Sequence, residues 1–310
     1  MRAIRIVSRA SKLALIQSNY IRDLLTNISS DLDISIVEIS TKGDRDKTDF
    51  LYKSNSVGFF TTEVENALLD CKGDIAVHSF KDLPTAIRGG LTVAAIPKRE
   101  AVADVLVTSK PISSLNDLPP GAAVGTSSLR RIAQINHLRS DLNCLALRGN
   151  VETRIQKVTS GQVDAIVIAQ AGINRLGLAE KISFILPPDE FLPAPAQGAL
   201  AVQIRTDDIE LAELIAKLDD KNSRITAETE RIVLSAMHGG CSIPLGVYAQ
   251  INNNTITIDA VISDIEGKKY IRDSRQGHID KAEELARKLA EDLLNKGGKQ
   301  ILDEIRNIDL

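Results

Sequence analysis

Tryptophan is missing from this 310-residue chain and aromatic residues make up only 3% of it, so the stacking platforms that single-stranded nucleic acid needs are not supplied. The net charge is -3, with 25% charged residues. No global basic excess advertises a nucleic-acid partner, and any cationic site must be local. Cysteine is scarce too. Cys71, Cys144 and Cys241 are odd in number and widely spaced, with no Cys-x-x-Cys pair, which argues against a disulfide framework and against structural zinc. Cys71, ending an amphipathic helix, and Cys144, opening a strand, are expected to be structural, as small buried hydrophobes. His78, His137, His238 and His278 lack metal-ligand spacing. They read as structural or exposed, with His78 a minor candidate for a site, and no metal is expected. Met1 to Ser8 contains no apolar run long enough for a signal peptide or a membrane span, so a soluble cytoplasmic protein without a membrane partner is expected.

What is present is ample apolar content, 43%, in a chain too long for one ordinary core, so two or three domains are expected. A strand from Arg2 to Val7 runs into Ser8-Arg9-Ala10-Ser11. A helix from Lys12 to Ile28 follows, with Leu13, Ile16, Tyr20, Ile21, Leu24 and Ile28 at helical spacing. Such a turn presents backbone N–H groups at a helix start, where an anion is favoured. Arg9 adds a positive charge there, although a solvated loop arginine is the competing reading.

The same layout recurs along the chain. Ile75-Ala76-Val77 leads to His78-Ser79-Phe80-Lys81-Asp82-Leu83-Pro84, and Ala122-Ala123-Val124 leads to Gly125-Thr126-Ser127-Ser128-Leu129-Arg130-Arg131. Leu145-Ala146-Leu147 ends at Arg148-Gly149-Asn150 with Arg154 one turn on, and Ile166-Val167-Ile168 precedes a helix carrying Arg175. Arg130 and Arg131 oppose the helix dipole in a first turn, which points to a bound anion. Strand, basic or hydroxyl loop, then helix is the layout of parallel α/β lobes whose ligands sit at the carboxyl ends of the strands. Arginines gathered on one rim suit a ligand with many carboxylates, which guanidinium groups match in bidentate fashion.

Leu200 to Ile204 is expected to return to the first lobe, making a two-strand hinge. The expected division is therefore residues 1–98 with 199–218, then 104–193, then a smaller unit at 221–310. Consecutive antiparallel strands with helices to one side make that last unit α+β. The polar stretch from Asp44 to Gly58 reads as a long mobile loop, and no internal repeat is visible.

In that last unit lies His238-Gly239-Gly240-Cys241-Ser242-Ile243-Pro244-Leu245-Gly246. Glycines before the cysteine and a proline after it fix an irregular backbone that bares the thiol. A thiol facing a polar cavity is reactive and can carry a group covalently. A Gly-rich turn with an incidental cysteine is the alternative.

These motifs, in order and spacing along essentially the whole chain, closely resemble the porphobilinogen deaminase (hydroxymethylbilane synthase) family. The residues that carry the resemblance are Val77 to Pro84, Val124 to Arg131, Leu147 to Asn150 with Thr153-Arg154, and Gly239 to Gly246. The resemblance implies two periplasmic-binding-protein-like lobes with a hinged cleft, plus a third domain carrying the cysteine. It implies a dipyrromethane cofactor joined by a thioether to Cys241. Onto that primer four porphobilinogen molecules would be added with loss of ammonia, and the linear tetrapyrrole hydroxymethylbilane would be released by hydrolysis.

By the same resemblance, Lys81, Asp82, Thr126, Ser128, Arg130, Arg131, Arg148 and Arg154 would hold the cofactor. Arg9, Ser11, Gln17, Arg148, Arg175 and Gln197 would handle substrate and chain movement. Asp82, with Arg9 and Lys81, would be catalytic. A carboxylate at Asp82 would hydrogen-bond pyrrole N–H groups and offset the positive charge left as ammonia departs; a helix N-cap aspartate is the competing reading. A monomer with neither metal nor nucleic-acid partner is implied.

Two positions depart from the family pattern. Ser54-Asn55-Ser56-Val57-Gly58-Phe59-Phe60 lacks the lysine expected at Val57, and the hinge run reads Arg99-Glu100-Ala101-Val102-Ala103-Asp104 without its usual proline and second arginine. Two other classes compete with the transferase: a non-catalytic bilobal binder of polycarboxylates, and a thiol redox protein centred on Cys241. The redox reading ranks last because no resolving cysteine is near.

Overall fold

The computed structural model describes residues 3–41, 61–237 and 243–307. These fall into two compact units. One holds the described residues within Met1–Thr48, Ser56–Glu100 and Gly198–Arg224, and the other those within Ala101–Gln197 and Ile225–Leu310.

The first unit is built on β1 (Ala3–Arg9), which is buried on both faces because Ile4 and Ile6 point one way and Val7 the other. α1 (Lys12–Ile28) opens on Ser11, whose hydroxyl accepts from the Ala14 N–H. Then come β2 (Asp33–Ile39), α2 (Thr62–Leu69), β3 (Ile75–Ser79) and β4 (Leu91–Ala95). A much later strand, β10 (Leu200–Arg205), inserts between β3 and β4 to give the order β2-β1-β3-β10-β4. Ile21 and Leu25 of α1, with Leu211 and Ile215 of α6 (Ile209–Ala216), cover one face. Val64, Ala67 and Leu68 of α2 cover the other, against Val7, Ala76 and Leu91.

The second unit repeats this plan. Its strands are β5 (Asp104–Thr108), β6 (Ala123–Gly125), β7 (Asn143–Leu145), β8 (Ala165–Ala169) and β9 (Phe184–Leu186), in the order β7-β6-β8-β5-β9. α3 (Leu129–Leu138) packs on one side through Ile135. α4 (Val151–Thr159) and α5 (Gln170–Arg175) pack on the other through Ile155, Val158 and Ile173. β6, β7 and β8 stand where β1, β2 and β3 do, and β5 stands where β10 does.

The sheets are mixed rather than wholly parallel, which corrects the expectation of parallel lobes. β10 runs antiparallel to β3 and β4, and β5 runs antiparallel to β8 and β9. Both strands are buried on two faces, and a largely apolar run reads the same in either direction. The return of β10 to the first sheet is as expected from the sequence.

Also within the second unit, β11 (Leu245–Asn252), β12 (Thr255–Ser263) and β13 (Tyr270–His278) form an antiparallel meander. Ile256, Ile258, Ala260 and Ile262 turn one face to three helices. These are α7 (Lys221–Ala236), α8 (Ala282–Leu293) and α9 (Lys299–Asn307), which meet that face through Val233, Ala286, Leu289, Leu293 and Ile301. The meander docks on the second sheet's layer at several points. The Val247 N–H donates to the Pro193 carbonyl at 3.0 Å, and the His137 ring stacks on Tyr270 with centroids 3.7 Å apart. A Cβ on Gly246 would lie 2.7 Å from Leu192 Cβ, so only glycine allows this approach.

Two local expectations are corrected. The strand expected over Leu145 to Leu147 lies at Asn143–Leu145, because the Ser127 hydroxyl replaces a ladder partner for Leu147. It accepts from the Leu147 N–H and donates to its carbonyl, each at 2.9 Å. Cys71 is exposed rather than buried. It follows the C-cap of α2 with φ of 54°, a turn position that faces outward.

Candidate functional site

In the second unit the site grows from Asp104, the fully buried first residue of β5. Arg131 donates from Nε and Nη2 to Asp104 Oδ1 at 3.1 and 2.7 Å, and from Nη1 to the Val167 carbonyl at 3.1 Å. Arg130 Nη2 lies 2.7 Å from Oδ2 as an ion pair without hydrogen-bond alignment, while Nη1 donates to the Leu192 carbonyl at 2.6 Å. The two first-turn cations of α3, which in the sequence point to a ligand anion, thus first answer a carboxylate of the protein. Burial opposes ionisation of Asp104, but the two guanidinium groups outweigh it and hold the carboxyl well below its ordinary range. Gln197 is fully buried and donates from Nε2 to Asp104 Oδ1 at 3.0 Å and to the Val102 carbonyl at 2.8 Å.

Arg148 and Arg154 join this group from the loop after β7 and from α4. Gly149 makes the turn with φ of 117°, and a Cβ there would come within 2.9 Å of Thr153. Asn150 caps α4 by accepting from the Thr153 N–H at 2.8 Å, and Arg154 Nε donates to the Gly149 carbonyl at 2.9 Å. Arg154 is pushed down to about 10 by burial and by the charges of Arg131 and Arg148, which places these groups together. Among the described residues, Arg148 Nη2 is buried without a hydrogen-bond partner.

Arg130 and Arg131 therefore share one carboxylate, and Arg148 and Arg154 add two further guanidinium groups to the charge around Arg131. A buried, unanswered cation is costly, and a ligand bearing several carboxylates would offset that cost. Ser128 begins α3 without capping it. Thr126, buried beside it, accepts from the Ser128 N–H at 3.3 Å. Arg175 closes α5, beyond β8.

The first unit presents its residues at the carboxyl ends of β1 and β3, which are adjacent and parallel. Arg9 is the last residue of β1. Phe80 and Leu83 are buried on either side of a single 3₁₀ turn, Phe80–Asp82, leaving Lys81 half-buried and Asp82 exposed. The Phe80 N–H donates to the Ala199 carbonyl at 3.0 Å, which anchors that turn to β10's approach. Gln17 of α1 is buried and donates to the Ser79 hydroxyl at 3.0 Å, so it ties the helix to the end of β3. Ser11 spends its hydroxyl on the α1 cap at 3.4 Å.

Cys241 lies outside the described residues, as do Val57 and the stretch from Asp44 to Gly58. Cys144 is partly buried, with its thiol pushed up to about 11 by that burial, as an inert structural residue should be. Sequence reasoning missed Asp104 as the anchor of the cluster; a lone aspartate opening an otherwise apolar strand was the available signal. It also missed Glu230. This fully buried carboxylate accepts from the Ala196 N–H at 2.6 Å and the Ala249 N–H at 2.9 Å, on the helix that leads into residues 238–242. Among the described residues no group of three or more His, Cys, Asp or Glu is placed to hold a metal. None of their helices is long and apolar enough to cross a membrane.

Two equivalent mixed sheets, one with an overloaded guanidinium cluster at its strand ends, define an α/β protein built to hold a polycarboxylate. A family model described as "Porphobilinogen deaminase, dipyromethane cofactor binding domain" matches residues 4–213, and "Porphobilinogen deaminase, C-terminal domain" matches residues 224–295. A porphobilinogen deaminase of Maridesulfovibrio salexigens is 44% identical over 98% of this chain and 99% of that protein. One of Carboxydothermus hydrogenoformans is 42% identical over 96% of each. Among solved structures, the methionine binding protein MetQ covers 74% of this chain and 94% of that one at 13% identity and a TM-score of 0.45, a loose likeness only. The chain belongs to the porphobilinogen deaminase family. The dipyrromethane cofactor of that family is a tetracarboxylate, and the cluster with its unanswered Arg148 Nη2 fits such a group.

Proposed function

We propose that the chain is a transferase that joins four porphobilinogen molecules head to tail, with loss of ammonia, on a dipyrromethane held by Cys241, and releases hydroxymethylbilane. The observation that carries this reading is the excess of guanidinium groups around Asp104. When bound, the dipyrromethane supplies the chain end to which the first porphobilinogen is joined.

Arg148 and Arg154 hold carboxylates of the primer, and Arg130 and Arg131 contribute their remaining charge while Asp104 fixes their position. Thr126 and Ser128 add donors at the strand ends of the second unit, and Lys81 adds one at the end of β3 in the first. Asp82, exposed between buried Phe80 and Leu83, accepts hydrogen bonds from pyrrole N–H groups. It also offsets the positive charge that develops as ammonia leaves. Arg9 pairs with carboxylates of incoming porphobilinogen, with Ser11, Gln17, Arg175 and Gln197 lining or bracing the path. Gln17 and Gln197, both buried and hydrogen-bonded to the protein, act as braces in this reading.

The chain is read as a cytoplasmic monomer working without metal or nucleic acid. Its domains are read as 1–98 with 199–218, 104–193, and 221–310. Turnover of porphobilinogen by the purified chain tests the reading. Asp82→Ala should retain the primer and lose turnover by a factor of about 10² or more, and Arg148→Ala should stall elongation with intermediates bound. Normal turnover in either variant contradicts the roles of Asp82 and Arg148.

A further inference from the structure

His78 is buried in the first unit, and the proposed chemistry makes no use of it. Its Nε2 lies 3.0 Å from Gln203 Oε1, and Gln203 Nε2 donates to Glu65 Oε1 at 3.0 Å. β3, β10 and α2 each contribute one residue to this chain of hydrogen bonds, and all three side chains are more than nine-tenths buried. Its direction is fixed at the glutamate end. A carboxylate oxygen accepts, so the Gln203 amide turns its NH₂ to Glu65 and its carbonyl to the ring. The ring then carries its proton on Nε2 and leaves Nδ1 bare.

The choice of glutamine at the middle position has a physical consequence. A carboxylate placed directly on the ring would favour the imidazolium form, whereas an amide passes orientation along without charge. The charged group acting on the ring is Arg9, at the end of the neighbouring strand β1, and burial and Arg9 together push His78 down to about 4. From α2 the facing charge is Glu65, kept one residue away by Gln203. From α1, the uncharged Gln17 meets the neighbouring Ser79, and β10 meets the ring with the uncharged Gln203.

We propose that Glu65, Gln203 and His78 form a positioning device that keeps a neutral, Nε2-protonated imidazole beside Arg9, so that no second cation competes with Arg9 for its place at the substrate carboxylates. The proposal rests on the reading of Arg9 as a substrate contact. A cationic ring in that place would repel the guanidinium.

Nitrogen-resolved NMR of the histidines in the whole chain tests the first half. His78 should show the Nε2–H tautomer with no titration between about pH 6 and 8; an Nδ1–H ring, or titration in that window, overturns the proposal. Gln203→Glu tests the second half. It should charge the ring and raise the KM for porphobilinogen about tenfold near pH 6, with the effect fading as pH rises and kcat changing less. Adding His78→Gln to that variant should remove the pH dependence, because no titrating ring remains.

An unchanged KM in folded Gln203→Glu overturns the proposal, and if that variant does not fold, the tautomer measurement decides. Arg9→Ala separates the two levels. Should it leave KM unchanged, the reading of Arg9 fails and the proposal with it. Should it raise KM while Gln203→Glu does not, only the positioning proposal fails.

Discussion

Asp104 pairs with two guanidinium groups at once, so its loss would leave both without their counter-charge. Asp104→Asn would leave Arg130 and Arg131 buried with no counter-charge, and breaking a buried pair costs about 3–5 kcal/mol. Denaturant unfolding should show that loss; a change under about 1 kcal/mol would mean that water reaches the cluster. His78 gives a pH signature of opposite chemistry. Its value near 4 in the folded chain lies below its ordinary 6.5, so the unfolded chain binds the extra proton between those values. Stability is then intact above about pH 6.5, falls by about 3 kcal/mol as pH drops toward 4, and falls no further from this group below that. At this scale the sequence showed the arginines because they follow apolar strands. It hid Asp104 and the His78 chain because each depends on partners far away in the chain, up to 138 residues.

Elements place these residues, and two short turns carry most of that task. Ser127 supplies both hydrogen bonds of Leu147, so Ser127→Ala leaves a buried N–H and carbonyl without partners. About 1–3 kcal/mol should be lost in thermal or denaturant unfolding. Gly149→Ala forces a side chain into φ of 117° against Thr153, and should cost about 1–3 kcal/mol. It should also weaken primer retention through Arg148. Helices such as α1 were legible to the residue, since its apolar spacing and Ser11 cap act locally. Strand direction was not legible. β5 and β10 are buried on both faces, so their side-chain pattern carries no mark of direction.

For the whole molecule, the sequence yielded the family through four motifs, yet it concealed the equivalence of the two five-stranded sheets. That equivalence lives in strand order, which different side chains can satisfy. A tethered tetracarboxylate answering the excess cations of the second unit is the physical core of the proposed function, and intact mass under denaturing conditions tests it most directly. The purified chain should exceed its sequence mass by two porphobilinogen units less two ammonias, Cys241→Ala should lose that increment entirely, and Arg148→Ala with Arg154→Ala should lose most of it. A wild-type mass equal to that of the bare sequence, or an increment that survives Cys241→Ala, would contradict it.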